Sequence, residues 1–145
     1  MSTPLVFVTG ATGFIGAHVV AQTLEAGHHV RLSVRKVTQI DGLKKLFSKH
    51  AQNLDFIVIP DLSIPRPYKS ALRDVTYVFH LASPMPGKGS DFKKDYLLPA
   101  QQGTTSLLVA ALSVPTIKRI VVVSSVLSLL PLDSLTKASF EAKGM

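Results

Sequence analysis

The run Val6-Phe7-Val8-Thr9-Gly10-Ala11-Thr12-Gly13-Phe14-Ile15-Gly16 sets three glycines three residues apart, between an apolar strand and the start of a helix. That spacing suits a phosphate cradle. Gly10 takes a tight backbone turn that a side chain would resist, Gly13 lets the main chain approach a pyrophosphate, and Gly16 lets the new helix lie against the strand. The free N–H groups and positive dipole end of that helix then face the anion. The same glycines also fit a purely structural turn of an α/β protein, so the flanking sequence has to discriminate. Leu5 to Val8 form an apolar strand that ends at Thr9. The helix carrying Phe14, Ile15, Ala17, Val19, Val20 and Leu24 stops at Gly27, which suits a left-handed C-terminal cap.

A second chemical signal lies at the end of the next strand. A carboxylate there would hydrogen-bond the adenosine ribose hydroxyls of NAD and repel a 2′-phosphate. The chain instead reads Ser33-Val34-Arg35-Lys36, a guanidinium able to grip a phosphate through two parallel bonds beside a second cation. NADP(H) is therefore favoured over NAD(H). A solvated strand end is the other role open to Arg35 and Lys36.

The elements that must position these groups read as alternating strands and helices, which predicts a parallel sheet with helices on both faces. Strands are expected at Val30–Val34, Phe56–Ile59, Thr76–Ala82 and Lys118–Ser125, the last buried on both faces. Helices are expected at Ile40–Lys49, with Leu43, Leu46 and Phe47 on one side, within Ser63–Asp74, and along Asp91–Leu112, where Pro99 and Gly103 interrupt. Pro84, Pro86, Gly87 and Gly89 make the loop after the fourth strand. The fold class is a Rossmann-type doubly wound α/β sheet of five strands over residues 1–130. A polar tail follows at 131–145.

Composition narrows the classes. The 145 residues are 46% hydrophobic and 17% charged, contain no cysteine, and carry 16 basic against 9 acidic residues for a net charge of +7. A disulfide framework is excluded. The basic residues are spread over several segments without an aromatic-interleaved patch, so nucleic acid is not expected, and a positive field suits a polyanionic cofactor as well as it suits nucleic acid. Met1 to Pro4 carry no basic leader or apolar span, so no membrane association and a cytoplasmic setting are expected.

Several further motifs occur in order: Pro60-Asp61-Leu62, His80-Leu81-Ala82-Ser83-Pro84, Lys94 to Ala100 followed by Gly103-Thr104, and Val122-Val123-Ser124-Ser125. With the glycine run and Val34-Arg35, these resemble the amino-terminal half of an extended short-chain dehydrogenase/reductase. The likeness is to the dihydroflavonol reductase and cinnamoyl-CoA reductase group, and especially to fungal NADPH-dependent methylglyoxal and aldehyde reductases. The resemblance implies that Gly10, Thr12, Gly13, Phe14, Ile15 and Gly16 hold the diphosphate. It also implies that Asp61 accepts from the adenine amino group, that Leu62 adds a backbone contact, and that Leu81, Ala82 and Ser83 pass beside the ribose and phosphates. Capping the following helix is the other role open to Asp61. His80 has no evident catalytic partner and is expected as a packed strand residue.

By the same resemblance Ser125 is the catalytic serine that hydrogen-bonds a small-molecule carbonyl substrate. The family's proton-donating pair, a tyrosine with a lysine four residues on, has no counterpart after Ser125. Tyr68, Tyr77 and Tyr96 all precede the fifth strand, and Gln102-Gly103-Thr104 stands where many relatives have Asn-Gly-Thr. Ser125 is thus open to reading as an ordinary strand-end serine. Two functions stay open: the NADP(H)-binding domain of a carbonyl reductase, truncated before its substrate lobe and catalytically incomplete, or a non-redox nucleotide- or ligand-binding module derived from one. No metal site is expected. The fifth strand, left as an edge with Val121 to Leu130 uncovered, predicts self-association or a partner chain at that edge.

Overall fold

The computed structural model describes residues 3–85 and 89–125. Five parallel strands, β1 (Leu5–Thr9), β2 (His29–Val34), β3 (Leu54–Val58), β4 (Tyr77–His80) and β5 (Arg119–Val122), lie in the order β3-β2-β1-β4-β5. The helices are α1 (Phe14–Glu25), α2 (Gln39–Leu46), α3 (Tyr68–Ala71) and α4 (Leu98–Ala111). The order reverses between β1 and β4, and in such sheets ligands bind outside the carboxyl ends of the strands at that reversal.

Strand alternation divides the core between two layers. Val6 and Val8 of β1, with Val30, Leu32 and Val34 of β2, pack against Val20 and Leu24 of α1 and Leu43 and Phe47 at α2. Phe7 and Val78 face the other way, onto Tyr68, Ala71, Leu72, Leu107 and Ala111 from α3 and α4. The expected doubly wound sheet is therefore present among the described residues. Helix α1 ends as its sequence predicts: Gly27 has φ +82°, its N–H donates to the Leu24 carbonyl at 2.9 Å, and the His28 N–H donates to the Thr23 carbonyl at 3.2 Å.

Four expectations need correction. Leu46, expected on the apolar side of α2, is 62% exposed, because α2 ends there and a 3₁₀ segment, Ser48–Asn53, turns the chain. The third strand begins earlier, at Leu54, and Ile59 lies just past it, although its N–H still donates to the Val34 carbonyl at 2.8 Å. The break at Pro99 takes the form of a wide π-helical turn, Lys93–Leu97, with Pro99 in the first turn of α4, where its missing N–H is tolerated. Gly103 continues the helix without interruption.

The fourth correction concerns β5, expected to be buried on both faces. Val121 and Val122 are 39% and 42% exposed, and among the described residues β5 is an edge paired only with β4. Beside it, over β4 and on the α1 side, lies a hollow of about 730 Å³ walled by Val6, Val19, Phe79 and Val121, remote from the glycine turn. Pro86 and Gly87 of the predicted loop, the tail at 131–145 and the remainder of the apolar stretch to Leu130 lie outside the described residues.

Candidate functional site

The first wall of the site is the turn between β1 and α1. Gly10 has φ +78°, the left-handed conformation that L side chains resist, and the Gly13 N–H donates back to its carbonyl at 3.0 Å. Gly16 is buried on the first turn of α1, where a Cβ would collide with the Gly10 carbonyl oxygen. Glycine at both positions brings the helix start directly over the end of β1. No side chain caps that start, so the N–H groups of its first turn are left for an external acceptor, with the helix dipole behind them.

A crevice runs from this turn across the ends of β1, β2 and β4. One lobe, of about 390 Å³, is lined by Gly10, Thr12, Gly13, Arg35, Gln39, Leu62 and others. The adjoining lobe, of about 300 Å³, shares Arg35, Leu62, Ala82 and Ser83, and adds Asp61, His80 and Asp95. The structure thus gathers Gly10, Thr12, Gly13, Arg35, Asp61, Leu62, Leu81, Ala82 and Ser83 around one opening.

Four residues of the predicted set lie apart from that lining, Gly16 because it is buried against the Gly10 carbonyl. Phe14 and Ile15 begin α1 with 84% and 57% of their surface exposed, and the Phe14 ring packs edge-on against His18, 4.9 Å between centroids. What they offer the site is backbone N–H rather than side chain. Ser125 is exposed, three residues beyond the end of β5 at the same rim of the sheet, and lines neither lobe.

Local hydrogen bonds shape the charged groups. Asp61 does not cap α3, which starts seven residues on; its Oδ1 accepts from the Ser63 hydroxyl at 2.7 Å and the Ser63 N–H at 2.8 Å. Those bonds, the hydroxyl's first, hold its carboxyl below the ordinary value of 3.8. The group is therefore a carboxylate at neutral pH. Tyr68 is fully buried beneath it and donates to the Leu62 carbonyl at 3.1 Å; burial, and then the Asp61 charge, push its hydroxyl pKa upward. That tyrosine is a strut, not a proton donor to substrate.

Sequence reasoning missed two contributors. Gln39 Oε1 accepts the backbone N–H of Arg35 at 2.9 Å and of Lys36 at 3.1 Å, tying the basic turn to the start of α2. Its signal was a lone amide at the foot of the α2 periodicity. Thr9, treated only as the end of a strand, turns its hydroxyl onto β4 and the segment after it. Its Oγ1 lies 2.9 Å from His80 Nδ1 and receives the N–H groups of Leu81 and Ala82 at 3.2 Å each. His80 is buried, as expected of a packed residue, and burial lowers its pKa. Among the described residues no cluster of His, Asp or Glu could hold a metal, and no helix is long and apolar enough to cross a membrane.

This geometry agrees with comparisons to known proteins. A family model described as NAD(P)H-binding matches residues 10–142. A ketoreductase of Aspergillus fumigatus is 41% identical over 135 residues, 93% of this chain and 39% of its own. The crystal structure of Gre2 from Candida albicans in complex with NADPH superimposes with a TM-score of 0.80 at 33% identity, over 88% of this chain and 38% of that one. Yeast methylglyoxal/isovaleraldehyde reductase Gre2, also complexed with NADPH, gives 0.79 at 28% identity over the same shares. The chain thus spans about 40% of the length of these relatives. With the glycine turn, the parallel sheet and these likenesses together, the chain belongs to the NAD(P)H-binding family, as an NADP(H)-binding domain of the extended short-chain dehydrogenase/reductase type related to fungal aldehyde and methylglyoxal reductases.

Proposed function

We propose that the crevice seats NADP(H) with its diphosphate at the start of α1, its 2′-phosphate on Arg35 and its adenine amino group toward Asp61, as the cofactor-binding part of a carbonyl reductase. One observation carries this reading: an uncapped helix start opens onto the same hollow as Arg35, with no acid at the end of β2. The glycine turn fits the group, since a Cβ on Gly16 would displace the helix from its place over β1. Bound NADPH would supply a hydride for the carbonyl carbon of an aldehyde or ketone. The chain's own residues do the rest of what is present: Arg35 and the α1 amides hold anionic groups, Asp61 orients the adenine, and Ser125 donates a hydrogen bond to the carbonyl oxygen.

Reduction also needs a proton donor to that oxygen, and the sequence holds no Tyr-x-x-x-Lys pair beyond Ser125. The chain by itself is therefore expected to bind without turnover, in a cytoplasmic setting, and to self-associate through the open edge of β5. A second reading, for the chain taken by itself, is a nucleotide-binding module without redox chemistry. Calorimetry with NADPH and NADH, followed by absorbance of NADPH with a panel of aldehydes, tests both. Binding that prefers NADPH supports the cofactor assignment, and its absence overturns it. Oxidation of NADPH by the chain alone would overturn the claim of catalytic incompleteness and exclude the second reading.

A further inference from the structure

Thr9 and His80 hold paired positions on the neighbouring parallel strands β1 and β4, so their side chains meet on one face of the sheet. A hydroxyl has one hydrogen to give and two lone pairs to accept with. Backbone amides only donate, and those of Leu81 and Ala82 both reach Thr9 Oγ1, the former shared with the Thr9 carbonyl at 3.3 Å. The hydroxyl hydrogen is left for Nδ1 of His80, 2.9 Å away. Nδ1 must then be an acceptor, the ring's own hydrogen sits on Nε2, and Nε2 donates to Thr104 Oγ1 at 3.3 Å. The protons from Leu81 and Ala82 through Thr9 to His80 are thus each fixed by the one before.

The ring sits where such a chain has consequences. It is 3% exposed and lines the crevice with Ala82 and Ser83. Around it, β1 contributes Thr9, β5 contributes Val122 opposite in register, and α4 contributes Thr104. The charged groups sharing that lining are Arg35, Asp61 and Asp95, while the ring's hydrogen-bond partners among the described residues are the two threonines.

Resting on the reading of the crevice as an NADP(H) site, we infer that His80 is a positioning residue: its neutral ring keeps the Thr9 hydroxyl turned to accept from Leu81 and Ala82, and a proton gained at Nδ1 releases that wall and weakens dinucleotide binding. A proton taken from solvent by Nδ1 makes it a donor. Thr9 Oγ1 would then face three donors with two lone pairs, and one amide of the wall must let go. Leu81 and Ala82 are the residues a cofactor passing from the glycine turn toward the end of β4 must touch.

Two measurements test this on the whole chain. The first uses ¹⁵N-detected NMR of the histidine rings without cofactor. At neutral pH, His80 should carry its proton on Nε2, and on acidification the amide signals of Leu81 and Ala82 should move with the ring. A proton on Nδ1, or amides that ignore the ring, overturns the inference. The second compares NADP⁺ affinity from pH 8 to pH 5 in the natural chain and in His80→Asn, whose side-chain oxygen can accept from Thr9 but cannot titrate. Ionisation of the 2′-phosphate is common to both proteins. The ratio of their affinities should therefore shift against the natural chain by up to about tenfold per pH unit below the ring's midpoint. Parallel profiles overturn the positioning role alone, whereas no NADP⁺ binding at any pH overturns the cofactor reading and this role with it.

Discussion

A Cβ on Gly10 would stand 2.8 Å from the amide nitrogen of Ala82 and 2.9 Å from the carbonyl carbon of Leu81. Both targets are backbone, so neither can swing aside as a flexible side chain would. The residue also holds φ +78°, which alone costs an L side chain about 1–2 kcal/mol. Gly10→Ala is therefore expected to destabilise the fold by roughly 2–4 kcal/mol, strain and displacement together. Urea unfolding measures this. A loss below about 0.5 kcal/mol would mean that the β1–α1 turn absorbs a methyl group without moving β4.

On the proposed reading, Arg35 carries the choice between cofactors. Its backbone N–H is tied down by Gln39 while the side chain stays exposed at the mouth of the crevice. Arg35→Ala should weaken NADPH by about 1.5–3 kcal/mol, the scale of hydrogen bonds to charged groups, and leave NADH nearly unchanged. Calorimetry with both cofactors checks it. Equal losses would place the arginine outside the 2′-phosphate contact.

Much of this was legible in the residues, for reasons that separate the legible from the rest. The glycine turn and the alternation of β1 and β2 are local: Val6 and Val8 against Phe7 already encode two buried faces, and Gly27 encodes the stop of α1. The place of Arg35 at the crevice was readable because it depends on one position after one strand. What stayed hidden was made by residues far apart in the chain. Thr9 meets His80 across 71 positions, and Ser106 donates to the Ser63 carbonyl at 2.7 Å across 43, pairings that no periodicity announces. The burial expected for β5 failed for a related reason: a valine-rich run encodes a tolerance for burial, but what covers it lies elsewhere, and Val121 stands open at a sheet edge.

The pH dependence of stability follows from two groups with opposite chemistry and the same sign. Burial lowers the His80 pKa, so between 6.5 and its folded value the unfolded chain binds a proton that the folded chain refuses. Stability is thus complete above about pH 6.5 and declines as the pH falls from there toward the folded value. Asp61, held below 3.8 by Ser63, adds a contribution present above 3.8 and lost as the pH falls through its own lowered value. That contribution is small, since the carboxylate is exposed. Thermal unfolding across pH 4 to 8 should show Tm falling first in the histidine range, with His80→Asn flattening that limb. A Tm constant from pH 7 to pH 5 would contradict the burial of a neutral ring.

Tyr68 separates support of the site from chemistry in it. Its ring is fully buried between the sheet and α4, and its hydroxyl donates to the Leu62 carbonyl, one residue from Asp61, which we propose faces the adenine. Tyr68→Phe keeps the ring and strips one hydrogen bond, leaving a part-buried carbonyl unpaired, which should cost about 1–2 kcal/mol of stability. The loosened Asp61–Ser63 turn should also weaken binding of adenine-bearing ligands such as NADPH and ADP-ribose to a similar degree. Nicotinamide mononucleotide, which lacks the adenine, should be unaffected. Denaturation together with calorimetry on all three ligands resolves the two effects. Equal losses for the mononucleotide would mean that Tyr68 acts on the whole crevice, not on its adenine end.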